Sequence, residues 1–475
     1  MRIEGILLVV RAVDCGVRPV ALRLPFRFGA VTLDRCPQLF VRATVEVAGR
    51  GSWQGHAAEL MVPKWFDKRA GFSHAQNVEH LANAVERTVQ AYAGDASASA
   101  FELFQRHAAA LADAGRHAGA TELSSAFGAA LVDRAVLDAL CRALGVSVFD
   151  AVARNAIGLQ PSALLPDLRG FDWNGWLPTL VPPRLRIEAR HTVGLLDALQ
   201  PLPEDAGPLP VSLPAVIARY GHRIFKIKLG GDPRADVQRL AEVLAVLDRD
   251  APGHRYTLDG NEQYGDTAAL RDLFARLAGL PAYAARPDAL LYLEQPLPRD
   301  RSFDGALPAL PCPLLMDEAD GTLDAFVRGR DAGWQGVSSK GCKGFYKSLV
   351  NRARCERWNQ AARRDGQAPS WFMSAEDLTC QAGLAVQQDL ALAALLGLDH
   401  AERNGHHYAD GFGTAPAAER QAFVRAHPDL YDGDGRLRIA GGRIDLHSLA
   451  GPGYAHGATP DWSAMQPLSQ AAALV

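Results

Sequence analysis

The sequence predicts an α/β fold, a closed (β/α)-barrel with an α+β capping domain before it, on three observations. Between Phe225 and Lys343 short apolar runs recur with helix-length segments between most of them. That is the pattern of parallel strands in βα units. Each run ends in charged residues: Phe225-Lys226-Ile227-Lys228, Tyr256-Thr257-Leu258-Asp259-Gly260-Asn261, Leu291-Tyr292-Leu293-Glu294-Gln295-Pro296, Leu314-Leu315-Met316-Asp317-Glu318 and Gly336-Val337-Ser338-Ser339-Lys340. In a closed parallel barrel the carboxyl ends of the strands share one face, and that face holds the active site. The alternative, an open doubly wound sheet, usually carries a Gly-rich phosphate loop after its first strand, and this sequence has none.

Taken in order, residues 1 to 70 read as β-rich, with branched or alternating runs over 3–13 and 39–47. Residues 22–30 are too rich in Pro, Gly and Arg for a central strand. Residues 51–68, with Trp53, His56, Trp65 and Phe66, read as a second irregular stretch. Aromatics and Arg in such loops suit closure over a pocket, although packing on the body is the blander account. From 74 to 145 the pattern turns helical: Val78, Leu81, Ala82, Val85, Val89 and Tyr92 fall on one face. Residues 129–144 are apolar on most sides, as in a buried helix, and Asp133 and Asp138 on it read as capping or packing groups. A Pro-rich irregular stretch covers 159–203, within which Arg184-Leu185-Arg186-Ile187-Glu188-Ala189 alternates and can open the barrel. Strands over 225–229, 256–258, 290–293, 313–316, 336–339 and 370–373 follow, with helices over 233–248, 267–278, 322–328, 346–363 and 379–396. These boundaries give a capping domain over 1–145, completed by 411–475, and a barrel over 146–410.

Composition excludes several classes. The formal net charge is −3, so no polyanion-binding surface is advertised and no nucleic-acid partner is expected. Seven cysteines without metal-type spacing read as free thiols in a reducing compartment. Met1-Arg2-Ile3-Glu4-Gly5 lacks the features of a signal peptide, and no apolar run approaches the roughly 20 residues of a membrane span. A cytoplasmic protein is expected, and base rates favour a homo-oligomer.

The strand ends carry the chemistry. Residues two apart on a strand face the same side, so Lys226 and Lys228 point together into the barrel mouth. A lone lysine pair at a strand end is commonly just solvated. Here, however, Asp259, Glu294 and Asp317 end three successive strands. Three crowded carboxylates repel unless a cation sits between them. Oxygen-only ligands select a hard divalent ion, one Mg²⁺ by preference with Mn²⁺ as its substitute. Lys340, on the next strand, would face Lys228 across that ion. A cation-rich site depresses lysine pKa values and frees an amine to act as a base.

These residues, Lys226-Ile227-Lys228, Asp259-Gly260-Asn261, Glu294-Gln295-Pro296, Asp317-Glu318 and Lys340, resemble the pattern of the enolase superfamily, in its muconate lactonizing enzyme-like branch, which includes mandelate racemase. The resemblance extends to the β-rich and helical N-terminal part, similar to that family's capping domain. Enolase-superfamily sites use a Lys or His base with one or two Mg²⁺ ions. The resemblance implies an enzyme that abstracts the proton next to the carboxylate of a small-molecule substrate through an enediolate. Asp259, Glu294 and Asp317 would be the metal ligands, and Lys228 and Lys340 the acid/base groups on the two faces of the substrate. Lys226 would support them electrostatically, and Asn261 and Glu318 would lie beside the metal. Residues 22–30 and 51–68 would be the specificity loops.

The sequence also departs from that pattern. The branch's Gly-Gly pair after the second lysine is replaced by Gly341-Cys342-Lys343-Gly344, so Lys343 adds an amine near the site, or simply caps the next helix. The last barrel segment, containing His400, His406 and His407, lacks the Asp-x-Asp that dipeptide epimerases use. Of these histidines His400 is the candidate for a substrate contact. Ser374, Glu376 and Asp377 are further polar candidates. The expected outcome is racemisation, epimerisation or cycloisomerisation, with acid-sugar dehydration as the alternative. A Schiff-base barrel using Lys228 and a carboxylate-binding barrel without turnover are the readings from other classes.

Overall fold

The computed structural model describes residues 5–180 and 185–475. Met1 to Glu4, and Arg184 at the start of the run predicted to open the barrel, lie outside the described residues.

The N-terminal part is an antiparallel sheet of β1 (Leu8–Phe28), β2 (Val31–Val47) and β3 (Gly51–Leu60), backed by three helices. Both stretches read from the sequence as irregular are therefore largely strand. Residues 22–28 extend β1, and the register with β2 shifts between Ala21 and Phe26, where Pro25 falls. Proline cannot donate to a ladder, so a register break is where a strand tolerates it. Residues 51–60 pair fully with β2. Alternation hides in β3 because Ala57, Ala58, Glu59 and Leu60 are all buried, covered on both faces.

Helix His74–Tyr92 opens with a Ser73 capping box and helix Ala100–His117 with a Ser99 capping box, each satisfying orphan N–H groups of the first turn. The predicted buried helix spans Glu122–Leu144 and stops at Gly145, in the left-handed conformation. It lies against β3 at Gly55, where a Cβ would overlap Ala135 O and Ala139 N. Asp133 accepts from Tyr92 Oη at 3.0 Å, and Asp138 from the amides of His56 and Tyr454 at 2.9 and 2.8 Å, so both are packing groups as expected.

The barrel has eight parallel strands: β4 (Arg186–Val193), β5 (Ile224–Lys228), β6 (Arg255–Asp259), β7 (Leu290–Glu294), β8 (Leu314–Met316), β9 (Gly336–Ser339), β10 (Phe372–Ala375) and β11 (His400–Arg403). Each pairs with the next, and β11 pairs with β4 to close the ring, which excludes the open doubly wound sheet. Outward-facing residues such as Phe225, Ile227 and Leu258 pack under the surrounding helices. β12 (Arg443–Asp445) adds antiparallel to β4, and β13 (Gln466–Pro467) pairs with β1 at Gly16–Val17. Arg18 on β1 forms a buried ion pair with Glu419 of helix Ala417–Ala426 at 2.7 Å, a second tie between the C-terminal segment and the N-terminal sheet. Among the described residues no helix is long and apolar enough to cross a membrane.

Candidate active site

The inward residues of β5, Lys226 and Lys228, are both buried. Lys226 Nζ sits amid four carboxylates: Asp259 at 3.0 Å, Glu294 at 2.8 Å, Glu376 at 2.8 Å and Glu402 at 3.0 Å. Lys228 Nζ lies 2.6 Å from Asp259 Oδ2, and Lys340 Nζ lies 2.7 Å from Asp317 Oδ2. The strand-end residues predicted from the sequence are thus brought together. The acid trio does not close on one point within 4.8 Å, since the tight groups of ligand atoms among the described residues lie elsewhere. The acids are interleaved with ammoniums instead.

Several backbone features aim these groups. Asn261, Glu262 and Gln295 hold positive φ just beyond β6 and β7, a conformation costly for residues other than glycine and concentrated at functional sites. The Gln295 side-chain oxygen accepts from the amides of Asp317 and Ala319 at 2.9 and 3.0 Å, locking the end of β7 to the end of β8. Asp259 Oδ1 accepts from the Asn261 amide at 2.9 Å. Glu318 accepts from Asn261 Nδ2 at 3.2 Å and pairs with Lys68 at 2.8 Å. Lys343 sits against Asp317: it donates to Asp317 O at 3.0 Å and Ser338 Oγ at 2.7 Å, lies 3.6 Å from Asp317 Oδ1 and pairs with Asp320 at 2.9 Å, so it braces Asp317 rather than capping a helix. His400 opens β11 at the far end of the barrel, where Nδ1 lies 2.6 Å from Arg190 Nη1.

Charge pairing within the chain itself governs the titration of these groups. Burial opposes the charge of Lys226, but the carboxylates of Asp259, Glu294, Glu376 and Glu402 outweigh it and hold the pKa well above the ordinary lysine value. Burial likewise opposes Lys340, and Asp317 raises it. Within the chain, direct carboxylate contact decides the direction. Asp259 and Asp317 sit below the usual range: burial would raise them, and the lysines prevail. Glu294 is pushed well above it by burial and by the nearby Asp259 and Glu376.

The lysines open onto a small pocket shared by Phe26, Phe28, Val62, Trp65, Asn261, Asp377, Thr379, Glu402 and Asn404. Phe26 lies 5.7 Å from Lys228 Nζ and Trp65 lies 4.3 Å from Lys340 Nζ, so aromatics from the two predicted capping stretches roof the amines. Lys68 and Arg299 fasten that roof. Arg299 donates to Trp65 O and Phe66 O at 2.9 and 2.7 Å while chelating Glu262, which Lys68 also reaches at 2.8 Å.

Sequence reasoning missed Arg190, Glu402, Lys68 and Arg299, and left Glu376 among several polar candidates. Arg190 forms a buried pair with Glu376 beneath Lys226. The signal for it was alternation: Arg190 and Thr192 flank His191 on β4, and Thr192 Oγ1 donates to Glu402 at 2.6 Å inside the barrel. Lys68 and Arg299 act across long sequence separations and left no local pattern.

The donor set can be tested against a divalent cation. It is all oxygen, and Glu294 Oε2 and Asn261 Oδ1 are buried without hydrogen-bond partners. Buried polar atoms are nearly always paired, so two unpaired oxygens beside the acid trio fit a hard cation.

Residues 212–338 match the family model described as enolase C-terminal domain-like. No curated protein sequence matches the chain. Among solved structures, an enolase from Bradyrhizobium complexed with magnesium and mandelic acid is 17% identical with a TM-score of 0.59, the match covering 96% of this chain and 97% of that one. A muconate lactonizing enzyme from Pseudomonas fluorescens complexed with muconolactone is 15% identical, with a TM-score of 0.56 and coverage of 96% and 98%. A dipeptide epimerase from Methylococcus capsulatus complexed with Mg and the dipeptide L-Arg-D-Lys is 17% identical, with a TM-score of 0.56 and coverage of 94% and 99%. At such identities the likeness is one of fold.

Proposed function

For a chain whose residues 212–338 match the enolase C-terminal domain-like family model, we propose an enzyme that removes the proton alpha to a substrate carboxylate, with one divalent cation, Mg²⁺ by preference. The observation that carries this reading is the placement of Lys228 and Lys340. They end the second strand and follow the sixth of an eight-membered ring, half a turn apart, and both open onto the same pocket. The acids Asp259, Glu294 and Asp317 end, or directly follow, the three strands of the arc that joins them. A small carboxylate lying over that arc presents one face to each lysine.

Asp259, Glu294 and Asp317 would hold the cation, with Asn261 and Glu318 beside them. When bound, a cation there supplies a Lewis acid for the substrate carboxylate. Lys228 takes the α-proton on one face as the enediolate forms, and Lys340 returns a proton to the other face, which gives racemisation or epimerisation. In cycloisomerisation a second carboxylate of the substrate adds to its conjugated double bond, forming the ring C–O bond as the π electrons move into the enediolate, and one lysine then delivers a proton to the α-carbon. Lys226 holds Glu376 and Glu402 in place under the substrate and keeps their charge from dominating the pocket. Phe26, Phe28 and Trp65 exclude water from the amines. Asp317 stays aimed because Lys343 braces it.

The test is deuterium incorporation from D₂O into acid sugars, N-acyl amino acids and aryl or lactone-forming acids, with Mg²⁺ and with EDTA. Metal-dependent exchange at the α-carbon is expected, at least about 100-fold weaker in Lys228→Ala and in Lys340→Ala. A dehydrated keto acid as the product would select the dehydratase alternative. Exchange that survives both substitutions would sink the proposal.

A further inference from the structure

The barrel wall has an outer face with its own cluster of ligand atoms. Along β4, Arg190 and Thr192 reach the carboxylates inside the barrel, so His191 between them points outward. There it meets His222, just before β5, and His406, in the short helix Gly405–Tyr408 that follows β11. All three are buried, and one ring nitrogen from each lies within 4.8 Å of the others.

The hydrogen-bond pattern fixes how they face. His222 Nδ1 lies 3.1 Å from Ala189 O. A carbonyl only accepts, so Nδ1 carries the proton and Nε2 carries the lone pair. That Nε2 lies 3.3 Å from His406 Nε2. A Zn–N distance of about 2.0–2.1 Å with tetrahedral angles sets two imidazole nitrogens about 3.3–3.4 Å apart. A ligating imidazole that donates its other N–H to a backbone carbonyl is the usual supporting arrangement. His191 Nδ1 is buried without any hydrogen-bond partner. Burial, aided by the neighbouring imidazoles, holds His191 and His406 well below the ordinary histidine pKa, and burial alone holds His222 at about 4 against the raising effect of its hydrogen bond to Ala189. The rings are therefore neutral, the form that binds metal. The cation beside the cluster, Arg23, is occupied by the carbonyls of Pro210 and His407 at 2.5 and 2.6 Å.

We propose that His191, His222 and His406 form a structural zinc site, with water in the fourth position, on the outer side of the seam where the barrel closes. The site ties the first strand, the entry to the second and the exit from the eighth. The barrel wall separates it from the acids around Lys226, and it stands whatever the reaction at that centre.

The test uses full-length, tag-free protein stripped with EDTA and reloaded with Co²⁺ or Zn²⁺. The expected results are one zinc per chain after gel filtration, and the visible d–d absorption of four-coordinate Co²⁺. Zinc should also raise Tm in a way that Mg²⁺ does not reproduce. X-ray absorption of the zinc-loaded protein should show three imidazole ligands. His222→Gln and His406→Gln should each lose the bound equivalent. Glu294→Gln at the acid centre, His456→Asn and His447→Ala should keep it; the last two test the other tight groups of ligand atoms, His56–Asp138–His456 and Asp429–Asp445–His447. Metal-free variants whose Tm equals that of metal-free wild type establish that the loss is one of ligands rather than of folding. Absence of retained zinc in wild type would overturn the proposal. So would zinc that persists in both glutamine variants, zinc that departs with His447 or His456, or fewer than three imidazoles in the absorption spectrum of the wild type.

Discussion

Replacing Lys226 by methionine removes an ammonium that four buried carboxylates share, while leaving a side chain of similar length in place. The cost is therefore electrostatic rather than a cavity. Asp259 keeps Lys228 and Glu376 keeps Arg190, but Glu294 loses its ammonium and Glu402 is left with Thr192 and the Asp377 amide. Removing one partner of a buried ion pair costs roughly 3–5 kcal/mol, and we expect about 4 kcal/mol here near neutral pH. A chain of this length unfolds with an entropy of about 1 kcal/mol per kelvin, so Tm should fall by about 4 °C. The pH dependence has a definite sign. Burial raises the pKa values of Asp259 and Glu402, and Lys226 leads the charges that bring them below the usual range. A carboxylate depressed by folding stabilises above its unfolded pKa, near 4, and loses that contribution as pH falls through the folded value. The variant lacks the Lys226 share of that contribution at every pH. Glu294, already raised by burial, becomes costlier to ionise without Lys226, a penalty that acid removes. By the Glu294 effect the gap is widest near neutrality and already narrower at about pH 4.5, while the Asp259 and Glu402 contribution fades only below about pH 4. Calorimetry of the two proteins in EDTA, near neutral pH and at about pH 4.5, measures it. A Tm within about 1 °C of wild type near neutrality, or a gap that widens in acid, would refute the reasoning.

The other expectations are simpler. Gly55→Ala forces a methyl group into Ala135 and Ala139 and should cost about 3 kcal/mol, read as a lower denaturation midpoint. Arg18→Met strands Glu419 and should cost about 3–5 kcal/mol, with proteolysis first opening the segment after residue 411. Trp65→Ala uncovers Lys340 and should lower the rate of α-proton exchange more than it lowers metal affinity, as measured by exchange kinetics and calorimetric titration.

The barrel was legible because its strands are short, apolar and regularly spaced, and because each ends on a charge. That rhythm located Lys226, Lys228, Asp259, Glu294, Asp317 and Lys340 at the carboxyl ends of their strands. It did not reveal that lysines interleave the acids, which depends on side-chain reach across the ring rather than on spacing. Arg190 and Glu402 were missed since a single polar residue on an inward register looks like any other. Residues 22–28 were misread because Pro25 marks a register shift in a long strand instead of its end. Residues 51–60 were misread because Gly51 to Gln54 are all exposed and Gly55 to Leu60 all buried, which removes the alternation on which strand recognition rests. Lys343 read as an amine near the site or as a cap of the next helix, and the turn Gly341–Lys343 sets it against Asp317.

The pairing of β13 with β1 has a consequence for synthesis. Gly16 and Val17 pair in register with Pro467 and Gln466, partners that leave the ribosome about 450 residues later. At ~5–20 residues per second that interval is roughly 20–90 s. Throughout it the outer edge of the N-terminal sheet lacks the strand that covers it, and an unpaired edge recruits other strands. The chain must therefore guard, or have guarded for it, the Gly16–Val17 stretch of that edge until β13 covers it.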